Sequence, residues 1–230
     1  MWGPFLERTG GIAPDLPGFG TSDKPGDGDY SFRGLARHVA ELTADLERYS
    51  LVVHDWGAVG LLAALERPEA LQRLVVIDAV PFLPGYRWHS IARIWRTPVA
   101  GELFMGLSSR WGFRQLARVQ GPGTPRAVVD AFVDEIWRDF DHGTQRAILR
   151  LYRSAPEPAL AEAGRDLGRL GAPALVVWGG ADPYLSTRFA HLYADALGGD
   201  ARVDIVDGAG HWPWLERPEV VDRVADFLSG

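Results

Sequence analysis

The sequence predicts an α/β fold: a mostly parallel sheet flanked by helices, with a helical insertion between two of its strands. Three observations predict it. Strand-like and helix-like runs alternate along the 230 residues, and such alternation builds parallel sheets covered on both faces. The runs Leu51–Val53 and Ala174–Trp178 are apolar throughout, as strands buried on both faces are. From Pro81 to about Leu170 no strand-like run occurs and aromatic residues become frequent.

In chain order, a strand is expected near Gly11 to Pro14. A helix is expected from about Ser31 to Tyr49, where Phe32, Leu35, Val39, Leu42 and Leu46 recur at three- and four-residue spacing. A strand through Val52 and Val53 ends at Asp55, and the small Ala58 opens a helical run through Leu61, Leu62 and Leu65. Leu74–Ile77 is the next strand, ending in Asp78. Within the insertion, Val128, Val129, Phe132, Val133, Ile136 and Phe140 mark a helix. The sheet resumes at Ala174–Gly179 and again at Arg202–Val206, which alternates, and a last helix holds Val220, Val221, Val224, Phe227 and Leu228. The expected division is a core of residues 1–80 and 171–230 with a helical cap of residues 81–170, which would seal a site beneath it from water.

Composition narrows the function classes. A 230-residue chain that is 47% hydrophobic can bury a substantial core, and 16 prolines with 27 glycines suit a loop-rich enzyme. Its net charge of −6, with both signs interspersed, points away from nucleic acid. The absence of cysteine excludes disulfides, thiolate zinc sites and a cysteine nucleophile, and no metal or cofactor is expected. Neither a signal-like start nor a membrane-length apolar run is present, so no membrane partner and a cytoplasmic location are expected. Oligomeric state leaves no signature.

The segment Leu51–Gly60, Leu-Val-Val-His-Asp-Trp-Gly-Ala-Val-Gly, reads as a strand, a sharp turn and a helix with Asp55 at the apex. That places Asp55 at the carboxyl end of a strand, where open α/β sheets keep their sites. A serine there would need a base before attacking, whereas a carboxylate is already an anion at neutral pH and suits displacement at an sp3 carbon. An aspartate capping the next helix is the plainer alternative. Two later strands deliver Gly180-Ala181-Asp182-Pro183 and Asp207-Gly208-Ala209-Gly210-His211 to the same edge of the sheet. The order is nucleophile, acid, histidine: His211 would activate a water against an ester on Asp55, and Asp182 would fix the imidazole tautomer.

Together with Ala13-Pro14-Asp15-Leu16-Pro17-Gly18-Phe19-Gly20 and Gly208-Ala209-Gly210-His211-Trp212-Pro213, these segments resemble the haloalkane dehalogenase and epoxide hydrolase branch of the α/β-hydrolase superfamily over nearly the whole chain. The resemblance implies an α/β-hydrolase fold, a covalent alkyl-enzyme ester on Asp55, and a small apolar substrate with water as partners. On substrate the residues divide. Trp56 offers an N–H to an oxyanion and an indole N–H to a departing halide, and Trp88, Trp95, Trp111 or Trp137 could supply a second indole donor. Bulky Val53 also fits a dehalogenase. Tyr152 instead resembles a ring-opening tyrosine of epoxide hydrolases, and His54 leans the same way, although Tyr86 lies too early to match that branch's other tyrosine.

Asp78, in Ile77-Asp78-Ala79-Val80-Pro81, is the alternative acid, because some members orient their histidine from this earlier strand. The resemblance further implies strands and a His-Gly-x-Pro loop ahead of Gly11, where ten residues stand. The sequence is therefore expected to be N-terminally truncated, short of a central strand and of one oxyanion donor. Three readings remain open: a dehalogenase-like or epoxide-opening hydrolase, an impaired remnant that binds a small apolar ligand, and an incomplete product without a stable fold.

Overall fold

Four parallel strands form the sheet of the computed structural model, which describes residues 1–230. They are β1 (Tyr49–Asp55), β2 (Leu71–Ala79), β3 (Ala174–Gly179) and β4 (Ala201–Val206), hydrogen-bonded in that order. Helices α1 (Gly3–Thr9) and α2 (Phe32–Thr43) precede the sheet, and α3 (Val59–Ala64) joins β1 to β2. Between β2 and β3 run α4 (Ser90–Arg96), α5 (Ala100–Gly106), α6 (Arg110–Gln120), α7 (Arg126–Arg138), α8 (His142–Ser154) and α9 (Glu157–Ala163). No strand interrupts them. Helix α10 (Arg188–Ala196) joins β3 to β4, and α11 (Pro213–Glu216) and α12 (Glu219–Ser229) close the chain. No helix is long and apolar enough to cross a membrane.

The strands bury both faces because their side chains alternate between two apolar clusters. Val53, Leu74, Val76, Val176 and Trp178 meet Phe32 and Leu35 of α2, Leu61 of α3 and Tyr193 of α10. Val75, Ile77, Leu175 and Val177 meet Phe5 of α1, Trp214 of α11 and Val220 and Val224 of α12. Removing water from side chains of this size contributes about 1.5–3 kcal/mol each, and the two layers fix the carboxyl ends of the strands as one rigid edge.

The sequence expectations fail at two places. The segment Gly11–Pro14 is not a strand: it is irregular and forms no backbone ladder. Gly10 and Gly11 lead into it at positive φ, and an extended segment without a ladder partner gains no hydrogen bonds to hold it as a strand. β1 consequently pairs with β2 alone and forms an edge of the sheet. The first long helix stops at Thr43 rather than near Tyr49, and Tyr49 already belongs to β1. Its start follows the sequence, since the Ser31 hydroxyl accepts the Gly34 N–H as an N-cap. Its end is set from outside the helix: the Arg67 guanidinium donates to the carbonyls of Thr43, Ala44 and Leu46 and satisfies the terminal acceptors.

Candidate active site

β1 ends in Asp55, whose backbone lies at φ 47°, ψ −123° before a 3₁₀ turn (Trp56–Ala58) leads into α3. A non-glycine residue there carries strain on the order of 1–3 kcal/mol, which neighbouring structure must hold. Just beyond the turn α3 crosses the strand closely at Gly60, where a methyl group would stand 3.2 Å from Val53 Cγ1 and crowd it. On the neighbouring strand a bulge omits Asp78 from the ladder, pairing His54 with Ile77 and Asp55 with Ala79. Asp78 also has a positive φ, 34°. Such bulges re-aim side chains beside sites, and this one sends the buried Asp78 carboxyl to accept the Gly179 N–H at 2.9 Å.

The loop after β3 brings in Asp182. Its Oδ1 accepts the N–H groups of Tyr184 (2.7 Å) and Leu185 (3.1 Å), so the side chain builds its own turn. Its Oδ2 accepts from His211 Nδ1 at 2.7 Å. That bond leaves His211 Nε2 facing Asp55, 4.0 Å from Oδ1. The histidine is braced behind as well: His54 Nε2–H donates to the His211 carbonyl at 2.8 Å, and the His54 ring lies between those of His211 and Trp214, with centroids 4.8 Å from each. The structure thus brings Asp55, Asp182 and His211 together at one edge of the sheet. Asp78 makes no hydrogen bond to His211.

Electrostatics separate the two acids. Burial alone would raise Asp182, but the His211 charge and the hydrogen bonds it accepts hold it below the ordinary carboxylate value. Asp78 is pushed well above that value, by burial first and then by the Asp182 charge beside it. Burial disfavours a charge on His211, yet Asp182 outweighs it and the imidazole lies above 6.5. Burial, with His211 second, lowers His54 to about 3, so it stays neutral. Asp55 is raised by burial, which His211 and the Trp56 N–H oppose. The Asp55 carboxylate lies deep, yet 36% of its side-chain surface stays open.

Asp55 and His211 border a cavity of about 120 Å³ lined mainly by apolar groups, among them Tyr86, Trp88, Trp95, Tyr152, Tyr184 and Trp212. Four buried polar atoms at or beside it have no protein partner: the indole N–H groups of Trp95 and Trp212 and the Tyr86 hydroxyl on its wall, and the indole N–H of Trp56 next to Asp55. Trp56 and Trp95 both pack on Tyr152, at centroid distances of 5.2 and 4.8 Å.

Several sequence expectations need correction here. Trp111 does not line the cavity; it stands on α6 with 69% of its surface exposed. His54 is not a substrate-binding residue by position either, being buried behind His211. Trp88 borders the cavity, but its indole N–H is already given to the Ala155 carbonyl. Trp137 packs on Phe113 and Phe140 instead. Tyr86, set aside as too early in the chain, reaches the cavity. Tyr184, His89 and Gln120 were missed altogether. Tyr184 could have been found from its place two residues after Asp182, whereas nothing in the sequence marks Gln120, which donates to the Tyr184 hydroxyl at 2.7 Å.

Comparison with known proteins settles the family. The model of the alpha/beta hydrolase family matches residues 1–224. The chain belongs to the alpha/beta hydrolase family. This alpha/beta hydrolase is 36% identical over 193 residues to haloalkane dehalogenase 1 of Mycobacterium tuberculosis, a match covering 76% of this chain and 59% of the relative. It is 31% identical over 232 residues to the haloalkane dehalogenase of Mycolicibacterium paratuberculosis, covering 94% of this chain and 73% of the relative. The chain thus spans about three-fifths of the first relative's length. Among solved structures, haloalkane dehalogenase DbeA of Bradyrhizobium elkani superposes with a TM-score of 0.78 at 23% identity, over 100% of this chain and 85% of that one. Epoxide hydrolase CorEH superposes with a TM-score of 0.76 at 23% identity, over 95% and 81%. These two likenesses concern the fold of the alpha/beta hydrolase only.

Proposed function

We propose that this alpha/beta hydrolase splits a carbon–halogen bond of a small apolar substrate through an ester on Asp55. The observation that carries the proposal is the set of unpartnered indole N–H groups, Trp95 and Trp212 on the cavity wall and Trp56 next to Asp55, around a carboxylate that lines a mainly apolar cavity. A buried N–H without a partner costs about 1–3 kcal/mol, and a departing halide accepts hydrogen bonds without needing a proton. The haloalkane dehalogenase relatives support the same reading.

In the first step an Asp55 oxygen bonds to the carbon, the carbon–halogen bond breaks, and its electron pair leaves with the halogen as halide. In the second, a water attacks the ester carbonyl carbon while His211 Nε2 takes its proton. The Trp56 backbone N–H steadies the oxyanion, and collapse returns the proton to the departing alcohol and restores the Asp55 carboxylate. The sum is R–X plus water giving R–OH, a proton and halide. A cavity of about 120 Å³ lies below the roughly 300–1,000 Å³ usual for drug-sized ligands, so the substrate has few heavy atoms.

Epoxide opening is the second reading, favoured by Tyr86 and Tyr152. Both line the cavity, and burial raises both hydroxyls above 10, keeping them protonated as hydrogen-bond donors to a ring oxygen. Two variants separate the readings in assays of halide release and epoxide opening. Trp95→Phe should cut halide release about tenfold or more, the loss of one preorganised donor, while Tyr152→Phe leaves it nearly unchanged. Epoxide turnover abolished by Tyr152→Phe, with no halide released by the parent, would assign the site to epoxides.

The hydrolytic step also has an expected pH dependence. His211 must be neutral to accept the proton, and the Asp182 carboxylate that raises its pKa persists in the ester, so the acidic fall-off of ester hydrolysis should lie above the ordinary imidazole value. Ester formation needs only the Asp55 anion and should persist to lower pH. Single-turnover rates across pH 5 to 9 (roughly the range of imidazole titration) measure both limbs, and coincident midpoints would contradict the division of labour.

A further inference from the structure

Glu216 lies buried at the end of α11, and both carboxylate oxygens are given to backbone N–H groups of separate segments. Oε1 accepts from Gly210 at 2.7 Å, one residue before His211, and Oε2 accepts from Gly123 at 2.8 Å, between α6 and α7. Beside this clamp the His211 N–H donates to the Gln120 carbonyl at 2.7 Å, at the end of α6. The Gly210 backbone lies so close to α6 that a methyl group there would stand 1.8 Å from the Gln120 carbonyl oxygen, and one on Gly123 would stand 2.5 Å from the Glu216 side-chain oxygen Oε2. The histidine loop is thus held from the helical insertion, whereas Asp55 shares none of these bonds.

We propose that Glu216 is a positioning residue for His211, making the histidine's place conditional on the seating of the α6–α7 segment over the core. Hydrogen bonds to a charged acceptor are the stronger kind, and their loss leaves two buried backbone donors unsatisfied. The consequence for chemistry rests on the Asp55 reading above: the clamp serves ester hydrolysis and is indifferent to ester formation.

The test uses the full chain with Glu216→Gln, whose amide can accept from only one of the two N–H groups. Gly123→Ala is the second variant; it crowds the α6–α7 arm while Glu216 stays. Amide hydrogen exchange by NMR, which needs no substrate, should quicken about tenfold or more in Glu216→Gln at whichever of Gly123 and Gly210 loses its acceptor and stay unchanged at Val76 in the sheet. In single turnover with a reactive haloalkane, either variant should slow ester hydrolysis about tenfold at an unchanged rate of ester formation. Unchanged exchange at both glycines, formation and hydrolysis falling together, or no change in either variant would overturn the proposal. If the parent forms no ester with a haloalkane or an epoxide, the Asp55 reading fails, while the exchange measurement still decides the clamp.

Discussion

Replacing His211 with alanine should stop turnover by a factor on the order of 10⁴ to 10⁶ while allowing an ester to accumulate on Asp55. Attack on carbon needs only the Asp55 carboxylate, whose charge His211 and the Trp56 N–H favour against burial, and leaves it in the ester. Opening that ester needs a water activated at His211 Nε2, which faces Asp55 Oδ1 across 4.0 Å. That gap is too long for a direct hydrogen bond and accommodates a water approaching the ester carbonyl. Intact-mass spectrometry after exposure to a reactive haloalkane or epoxide should show the alkyl adduct on the variant and none at steady state on the parent. An unmodified His211→Ala protein beside an active parent would remove Asp55 as the nucleophile.

Asp182→Asn should cost on the order of 10³- to 10⁴-fold in turnover, and Asp78→Asn less than about tenfold. Asp182 Oδ2 accepts the His211 Nδ1–H at 2.7 Å, so an amide there loses both the tautomer preference and the charge that stabilises an imidazolium. The same change should lower the acidic midpoint of ester hydrolysis, because Asp182 is what holds the His211 pKa up. Asp78 is a different case. Its carboxyl is pushed well above the usual range by burial and by Asp182, which favours the neutral acid. An asparagine amide resembles that acid, with an oxygen for the Gly179 N–H and an N–H for Asp182. Turnover measured on both variants at one pH decides the matter, and the reverse ranking would transfer the acid's role to the end of β2.

The site was legible where its chemistry sits in loops directly following strands. Asp55, Asp182 and His211 each follow an apolar or alternating run, so the parallel arrangement alone brings them to one edge. Residues whose role depends on which way a helix turns were not legible. Trp95 and Trp111 look equivalent in the sequence, yet one borders the cavity and the other faces solvent. His54 stands next to Asp55, but strand alternation points it to the opposite side, behind the histidine. Gln120 and Glu216 meet the histidine loop only through tertiary contacts, about which local sequence carries no information. The Gly11–Pro14 strand failed for a related reason: a strand is completed by its neighbour, and here it has none.

β1 carries the candidate nucleophile on the strand with a ladder on one side only. Each residue of a central strand is restrained by partners left and right, whereas β1 from Tyr49 to Asp55 is tied solely to β2. Local opening free energies follow such restraints, and edge elements open at a smaller cost than the core they border. The strained turn at Asp55 relaxes as soon as that strand loosens. Activity should therefore be lost on heating before the fold is, governed by the fraying of one strand, and residual-activity and circular-dichroism melting curves on the same samples measure the two midpoints.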